Sequence, residues 1–382
     1  AAFSREVEAR EAEVLQAGLL PNPEIAVEVE NVAGTGEHEG SENAETTLRI
    51  SKLVGLGGKR VLRREAARQD RKVAEREFDL AKAEAMARTT ERFIATLAAQ
   101  ERLSLMGEQV VLAGQVLHTV EDAVEAGKSA AVEQVRFRAL LSEARLEQEK
   151  AQQGLAAARK ILAASWGGKD PDFGEVQGNL EDLPPLPAWS DLDSRVGESP
   201  EAARQARVVE AAHRTLDLER AHRFPDLTVS LGLRKFRETD DNAVVGEISL
   251  PLPVFDRNQG GAGAAHARLF KAQEEERSAW LLLRAELSEA WRRMRSSKAE
   301  IEVLKNEILP AAENAFEAVR YGYRAGKFGF LEVLDGQRTL FDARSRYLDA
   351  LAAYHRAAVE VERLLGRKIQ KPFPPTVGTR EE

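Results

Sequence analysis

Apolar and polar positions alternate strictly over Glu24-Ile25-Ala26-Val27-Glu28-Val29-Glu30, the period-two pattern of a strand with one wet face. The alternation returns from Thr46 to Val54. It returns again where Leu227, Val229, Leu231 and Leu233 interleave with Thr228, Ser230, Gly232 and Arg234, and once more over 244–250. Between these runs the periodicity is helical. One helical pattern begins near Lys59 and continues to about Ala126 with no proline and few glycines. Some 67 residues at about 1.5 Å each span roughly 100 Å, longer than an ordinary globular core accommodates. Its lower half carries Leu103, Met106, Val110, Ala113, Leu117, Val120 and Val124, whose alternating spacings of three and four mark coiled-coil packing.

The breaks between elements reveal a repeat. A first helix, 1–19, stops at Leu20-Pro21-Asn22-Pro23. A β-hairpin, 23–54, carries a Gly-rich polar loop at 33–44 and ends at Gly55-Leu56-Gly57-Gly58. The long helix 59–126 follows, Gly127-Lys128 breaks it, and a return helix covers 130–166. Residues 167–198 are rich in Gly, Pro and Asp and predict an irregular linker. The plan then recurs: a helix over 199–223 starting at Ser199-Pro200-Glu201, strands 226–236 and 244–250, a long helix 263–325 after Gly260-Gly261-Ala262-Gly263, and a return helix 328–365. Ala126-Gly127-Lys128 matches Ala325-Gly326-Lys327, Glu133 matches Glu332, Leu141 matches Leu340, Ala144-Arg145 matches Ala343-Arg344 and Gly167 matches Gly366. Residues 1–166 and 199–366 are therefore two structural repeats, and 367–382 form a C-terminal tail. The expected fold is mainly α with a small β part.

Four strands of about ten residues suit a membrane β-barrel but cannot close one, since eight is the usual minimum. Lipid does not tolerate open strand edges, so membrane-spanning strands of this kind require oligomerisation. Ile25, Val27, Val29, Leu48, Ile50, Leu227, Val229, Leu231, Ile248 and Leu250 share one face; Glu28, Glu30, Arg49, Ser51, Thr228, Ser230, Glu247 and Ser249 share the other. A sandwich hairpin with one wet face gives the same alternation. The attached helices favour the barrel, because soluble hairpins rarely carry such stalks.

Composition removes other functions. Charged residues make up 31% of the 382 and aromatics 6%, as in long helices and coiled coils. No run of 18 apolar residues predicts a transmembrane helix, which leaves barrel strands untouched. A net charge of -8 argues against nucleic acid. With no cysteine there is no thiol catalysis, thiolate metal site or disulfide. The chain opens at Ala1 inside a helical pattern, and the expectation is a processed chain whose targeting segment has been removed. Histidines 38, 118, 213, 222, 266 and 355 lack mutual ligand spacing and are expected to be solvated on charged helices. Gly57-Gly58-Lys59-Arg60 lacks the frame of a phosphate loop, and a strand-to-helix corner explains its glycines. Glu and Arg runs are expected to be solvated faces. Pro310 is expected to kink its helix. No catalytic constellation, cofactor or metal site is expected, and the chain is not expected to be an enzyme.

Tyr321-Gly322-Tyr323-Arg324-Ala325-Gly326-Lys327, Leu331-Glu332-Val333-Leu334-Asp335 and Leu340-Phe341-Asp342-Ala343-Arg344 resemble the second helical hairpin of the TolC family of outer-membrane efflux factors. Gln16-Ala17-Gly18-Leu19-Leu20-Pro21-Asn22-Pro23-Glu24, Glu28-Val29-Glu30-Asn31 and Gly55-Leu56-Gly57-Gly58-Lys59-Arg60 are more similar to its CzcC branch, which serves heavy-metal exporters. The resemblance covers essentially the whole chain. It implies a homotrimer in outer-membrane lipid, with a 12-stranded barrel and a periplasmic tunnel of 12 helices, working with a periplasmic adaptor and an inner-membrane RND pump. A multidrug exit duct shares this plan. A periplasmic adaptor or soluble coiled-coil scaffold is the alternative of a different class, but an adaptor carries one helical hairpin where this chain has two.

Three sets of site residues follow. Gly127, Lys128, Gly326 and Lys327 are expected to be tips that dock the adaptor, because small residues permit a tight reversal and close approach of partner helices. Glu28, Glu30 and Glu247 against Arg49 are expected to make the barrel lumen weakly acidic. Glu332 and Asp335, three apart on one helix face, become two carboxylate rings under threefold symmetry. The family resemblance places gating acids there and a gate tyrosine at Tyr323. Where some relatives carry a gate arginine this chain has Phe328, so closure is expected from Phe328 packing or Tyr323 hydrogen bonds rather than a salt link.

Overall fold

The computed structural model describes residues 2–127 and 129–369; Lys128 and most of the expected C-terminal tail lie outside them. In chain order the elements are α1 (Ala2–Ala17), β1 (Glu24–Glu30), β2 (Glu45–Val54), α2 (Lys59–Glu125), α3 (Ala131–Ala163), α4 (Trp189–Asp193), α5 (Pro200–Ala221), β3 (Leu227–Phe236), β4 (Asn242–Ser249), α6 (Gln259–Val303), α7 (Leu309–Arg324) and α8 (Phe330–Leu365). Two compact units emerge, one of residues 1–80 with 201–280 and one of 81–200 with 281–382. No helix among the described residues is long and apolar enough to cross a membrane.

The first unit holds the sheet, antiparallel throughout in the order β1-β2-β3-β4. Its inner connections form one polar corner. Lys59 Nζ lies 2.6 Å from Asp226 and donates to the Phe224 carbonyl at 2.8 Å, while the Leu56 N–H donates to Asp226 Oδ1 at 3.1 Å. Gly57 has φ +72°, and a Cβ there would sit 2.8 Å from the Phe224 ring, so only glycine fits. Leu216 of α5 packs on Ala265 and Leu269 of α6. The Gly-rich stretch 260–263, expected as a break, lies inside α6, which starts instead after Asn258 at φ 55°. The Asn258 amide donates to the Glu219 carbonyl and carboxylate at 2.8 and 2.6 Å.

The second unit is a bundle of hairpin helices with a strap. Residues 167–198 are not a loose linker. Phe173, Val176 and Leu180 are buried in the main core with Phe93, Leu97, Met294 and Leu351. Irregular backbone must have its polar groups answered when buried, and the bundle supplies the partners. Gln100 both accepts from the Val176 N–H and donates to its carbonyl, at 2.8 and 3.0 Å. Tyr354 Oη donates to the Pro184 carbonyl at 2.5 Å, and Trp291 Nε1 to Pro187 at 2.9 Å. Burial pushes the Tyr354 phenol up to about 12. His355 breaks the expectation of solvated histidines: it is buried, with Nε2 2.9 Å from the Leu180 carbonyl, and burial holds its pKa below the ordinary imidazole value. The other five histidines are exposed. Ahead of Pro310, expected to mark a kink, the chain makes a π-helical turn over Leu304–Ile308. Proline has no N–H to donate and crowds the carbonyl four residues back, and a widened turn removes both conflicts.

Candidate channel wall and entrance

In the sheet, the pairing of Ile25 with Ile50 and Val27 with Leu48, and of Leu48 with Leu233 and Ile50 with Leu231, puts all of these side chains on one face. Among the described residues nothing covers that face: Ile25 is 74% and Ile248 73% exposed. A continuous apolar sheet face of this kind marks contact with lipid or another apolar partner.

The opposite face is charged, and register explains how. Arg49 stands between Ala26 on β1 and Gly232 on β3. Both neighbours are small, so its guanidinium crosses them to reach Glu28 at 2.5 Å on one side and Glu247 on the other. A Cβ at position 232 would lie 2.8 Å from the Leu48 carbonyl oxygen, which fixes glycine there. Arg234 forms a second centre, 2.9 Å from Glu30 and 2.7 Å from Glu45, with Nε donating to Thr47 Oγ1 at 2.9 Å. The expected opposition of three acids to Arg49 alone is thus corrected: Glu30 belongs to Arg234. The strands' polar face carries Glu24, Glu28, Glu30, Glu45 and Glu247 against two guanidiniums. Arg234 stood at a polar position of the alternation, but its partners on β1 and β2 are known only once the strand order is.

In the second unit, the hairpin tips are built alike. Gly127 and Gly326 both have φ 68°, and their N–H groups donate to Val124 and Tyr323 carbonyls at 2.9 and 3.0 Å. A Cβ on either meets nothing within 4 Å, so the left-handed backbone requires glycine there and crowding does not. The Lys327 N–H donates to the Gly322 carbonyl at 2.8 Å; Lys128 lies outside the described residues.

Beside the tips, Val116, Val120, Phe137, Phe330 and Val333 form a buried cluster uniting the two hairpins. Phe330 meets Phe137 edge-on at 4.7 Å between centroids, and Tyr323 meets Phe137 at 6.2 Å. The Tyr323 hydroxyl donates to Glu133 Oε2 at 3.1 Å, and Ser129 Oγ donates to the same oxygen. Burial raises the Tyr323 pKa, so the phenol stays a donor. Phe328 lies over Gly322, where a Cβ would approach its ring to 2.2 Å. Glu332 and Asp335 are both exposed but chemically unlike. Glu332 Oε2 accepts the Gly329 N–H at 3.1 Å, answering a free donor at the start of α8. Asp335 has no ion pair among the described residues. Sequence reasoning missed Glu133 as the partner of Tyr323, although its match to Glu332 in the repeat was the available signal. Gly322 lay inside the stretch that carries the family resemblance, but its contact with Phe328 is known only from the fold.

Among the described residues no group of three or more His, Asp and Glu side chains is disposed to hold a metal. The model of the family described as outer membrane efflux protein matches residues 1–168 and 196–367, close to the two repeats. The cobalt-zinc-cadmium resistance protein CzcC of Cupriavidus metallidurans is 36% identical over 366 residues, covering 96% of this chain and 86% of that protein. The solved structure of CusC superposes with a TM-score of 0.80 at 20% identity, covering 96% of this chain and 88% of that one. VceC from Vibrio cholerae gives 0.75 at 16% identity, covering 97% and 93%. These two likenesses establish the fold, a mainly helical protomer with a four-stranded sheet.

Proposed function

The chain belongs to the outer membrane efflux protein family, and from that premise we propose that it acts as a homotrimeric, non-enzymatic exit duct for heavy-metal cations. An inner-membrane RND pump would load it through a periplasmic adaptor. One observation carries the proposal: a sheet with one bare apolar face, one charged face and two unpaired edges, which three copies complete to twelve strands and lipid forbids in isolation. The metal cargo is supported by the likeness to CzcC over nearly the whole chain.

In this reading the Arg49 and Arg234 clusters face a water-filled lumen. Gly127, Lys128, Gly326 and Lys327 present the hairpin tips to the adaptor. Tyr323 and Phe328 pack the entrance, and Asp335, exposed and without an ion pair among the described residues, is the charge an entering cation meets, with Glu332 beside it. A ring of three carboxylates at a constriction favours cations.

Expression in a host deleted for its CzcC-type channel tests the cargo. Growth on cobalt, zinc or cadmium should return. Recovery of drug tolerance without metal tolerance would assign a multidrug duct. A protein that never fractionates with the outer membrane would be a scaffold of another class.

A further inference from the structure

The internal repeat says what must meet the two open edges of the sheet. Within the chain, the first repeat abuts the second along β2 and β3. The connections leaving those strands interlock through Lys59 and Asp226 at 2.6 Å. A second junction of the same kind is implied, because β4 leads into α6 as β2 leads into α2, and α1 leads into β1 as α5 leads into β3. The sequences register: Pro23-Glu24-Ile25-Ala26-Val27 matches Pro225-Asp226-Leu227-Thr228-Val229, which puts Glu24 at the place of Asp226. Asn258, at φ 55°, precedes α6 as Gly58, at φ 71°, precedes α2. Yet β1 and β4 are opposite edges of one sheet, so a single chain holds both halves of this junction and cannot join them.

Among the described residues neither half of this junction has an ionic partner, and prolines restrict both connections. Glu24 is exposed and has no ion pair among the described residues. Arg257 is exposed too; its Nε donates to the Pro253 carbonyl at 3.1 Å and its N–H to Gln259 Oε1 at 2.9 Å, and it has no carboxylate partner among the described residues. Leu19 and Leu20 before β1, and Leu252, Val254 and Phe255 after β4, are exposed, Phe255 by 90%. Prolines 21, 23, 251 and 253 restrict both connections, and Gln259 Nε2 holds the Phe255 carbonyl at 3.1 Å. An exposed aromatic on a fixed turn is a preformed anchor for a partner.

We infer that the partner is a second copy of this chain, whose Glu24 answers Arg257 as Asp226 answers Lys59, and whose Leu19 and Leu20 receive Phe255. β4 runs toward this end of the sheet and β1 away from it, so the edge of one copy pairs antiparallel with that of the next, as β2 does with β3. The cation has moved from the first helical position, Gln259 here, to a residue two earlier. The inference rests on the trimeric duct proposed above and adds the residues that lock one copy to the next below the strands.

The chain has no cysteine, so introduced pairs report cleanly. Glu24→Cys with Arg257→Cys in the full-length protein, oxidised in outer membranes, should give reducible dimers and trimers that neither single variant gives. Glu24→Arg and Arg257→Glu should each lower the temperature at which the trimer dissociates in detergent, and the double reversal should restore it. Phe255→Trp should place an indole that resists quenching by spin-labelled phospholipid. Light scattering of the wild-type protein separates the failures: a trimer with no cross-link, additive reversals or a quenched indole in the Phe255→Trp variant overturns the junction alone, and a monomer overturns the duct with it.

Discussion

Gly127 turns the first hairpin and Gly326 the second at the same φ of 68°, each donating its N–H to the carbonyl three residues back. Beyond the backbone the two tips part. Two residues past the glycine the first repeat has Ser129, bonded to Glu133, and the second has Phe328, lying over Gly322 where the first repeat carries Ala123. The difference continues along the hairpins. Val111 in an unbroken α2 corresponds to Pro310 behind a π turn, and Leu155-Ala156 correspond to Tyr354-His355, which hold the strap. Duplication kept what the turn geometry demands. Side chains diverged where one repeat must contact something the other does not.

The largest effect should come from breaking what the tips share. Gly127→Val and Gly326→Val each force a β-branched residue into the left-handed region, at a cost of about 1–2 kcal/mol. Efflux should be lost in both while trimer yield in the outer membrane is unchanged. Wild-type efflux in both would remove the tips as docking points, and loss in only one would break their equivalence.

Next is Gly322→Ala, which drives a methyl into the Phe328 ring and should cost about 1–3 kcal/mol. Single-channel recordings should show a leakier entrance, Phe328→Ala alone should leak as well, and the double variant should leak no more than Phe328→Ala. No leak would mean Phe328 does not close this tip. Tyr323→Phe should give a smaller leak, since it removes one hydrogen bond to Glu133, worth about 1 kcal/mol; conductance equal to wild type would make that bond incidental to closure.

Asp335→Ala should lower cation over anion permeability more than Glu332→Ala, whose loss mainly loosens the start of α8. Equal losses would return both carboxylates to one selectivity ring.

The smallest effect sharpens the contrast between return helices. Burial keeps folded His355 neutral where the unfolded chain, with an ordinary imidazole near 6.5, already takes a proton. The folded protein therefore has this contribution in full above that pH and loses it as pH falls below. His355→Gln should flatten the fall in melting temperature below about pH 6.5, and an unchanged slope would place the titration elsewhere.

Much of the plan was legible because it is periodic. Alternation located all four strands to within two residues at either end, and the repeat fixed both tips. Boundaries failed where local composition misleads: the glycines at 260–263 are helical because Asn258 already supplies the positive φ that starts α6. The strap failed for the opposite reason. Gly, Pro and Asp describe its backbone, but its burial depends on Gln100, Trp291 and Tyr354, far away in sequence.

The sequence by itself determined the elements, their duplication, the glycine turns and the two-faced strands, because each follows from contacts or backbone preferences within a few residues. Only the tertiary structure decided that Arg234 serves Glu30 and Glu45, that Arg49 reaches two strands over Ala26 and Gly232, that Tyr323 bonds Glu133, and that Glu332 caps its helix while Asp335 has no ion pair among the described residues. Which charge meets which depends on strand order and helix packing, and these are set by burial summed over the whole chain rather than by any local pattern.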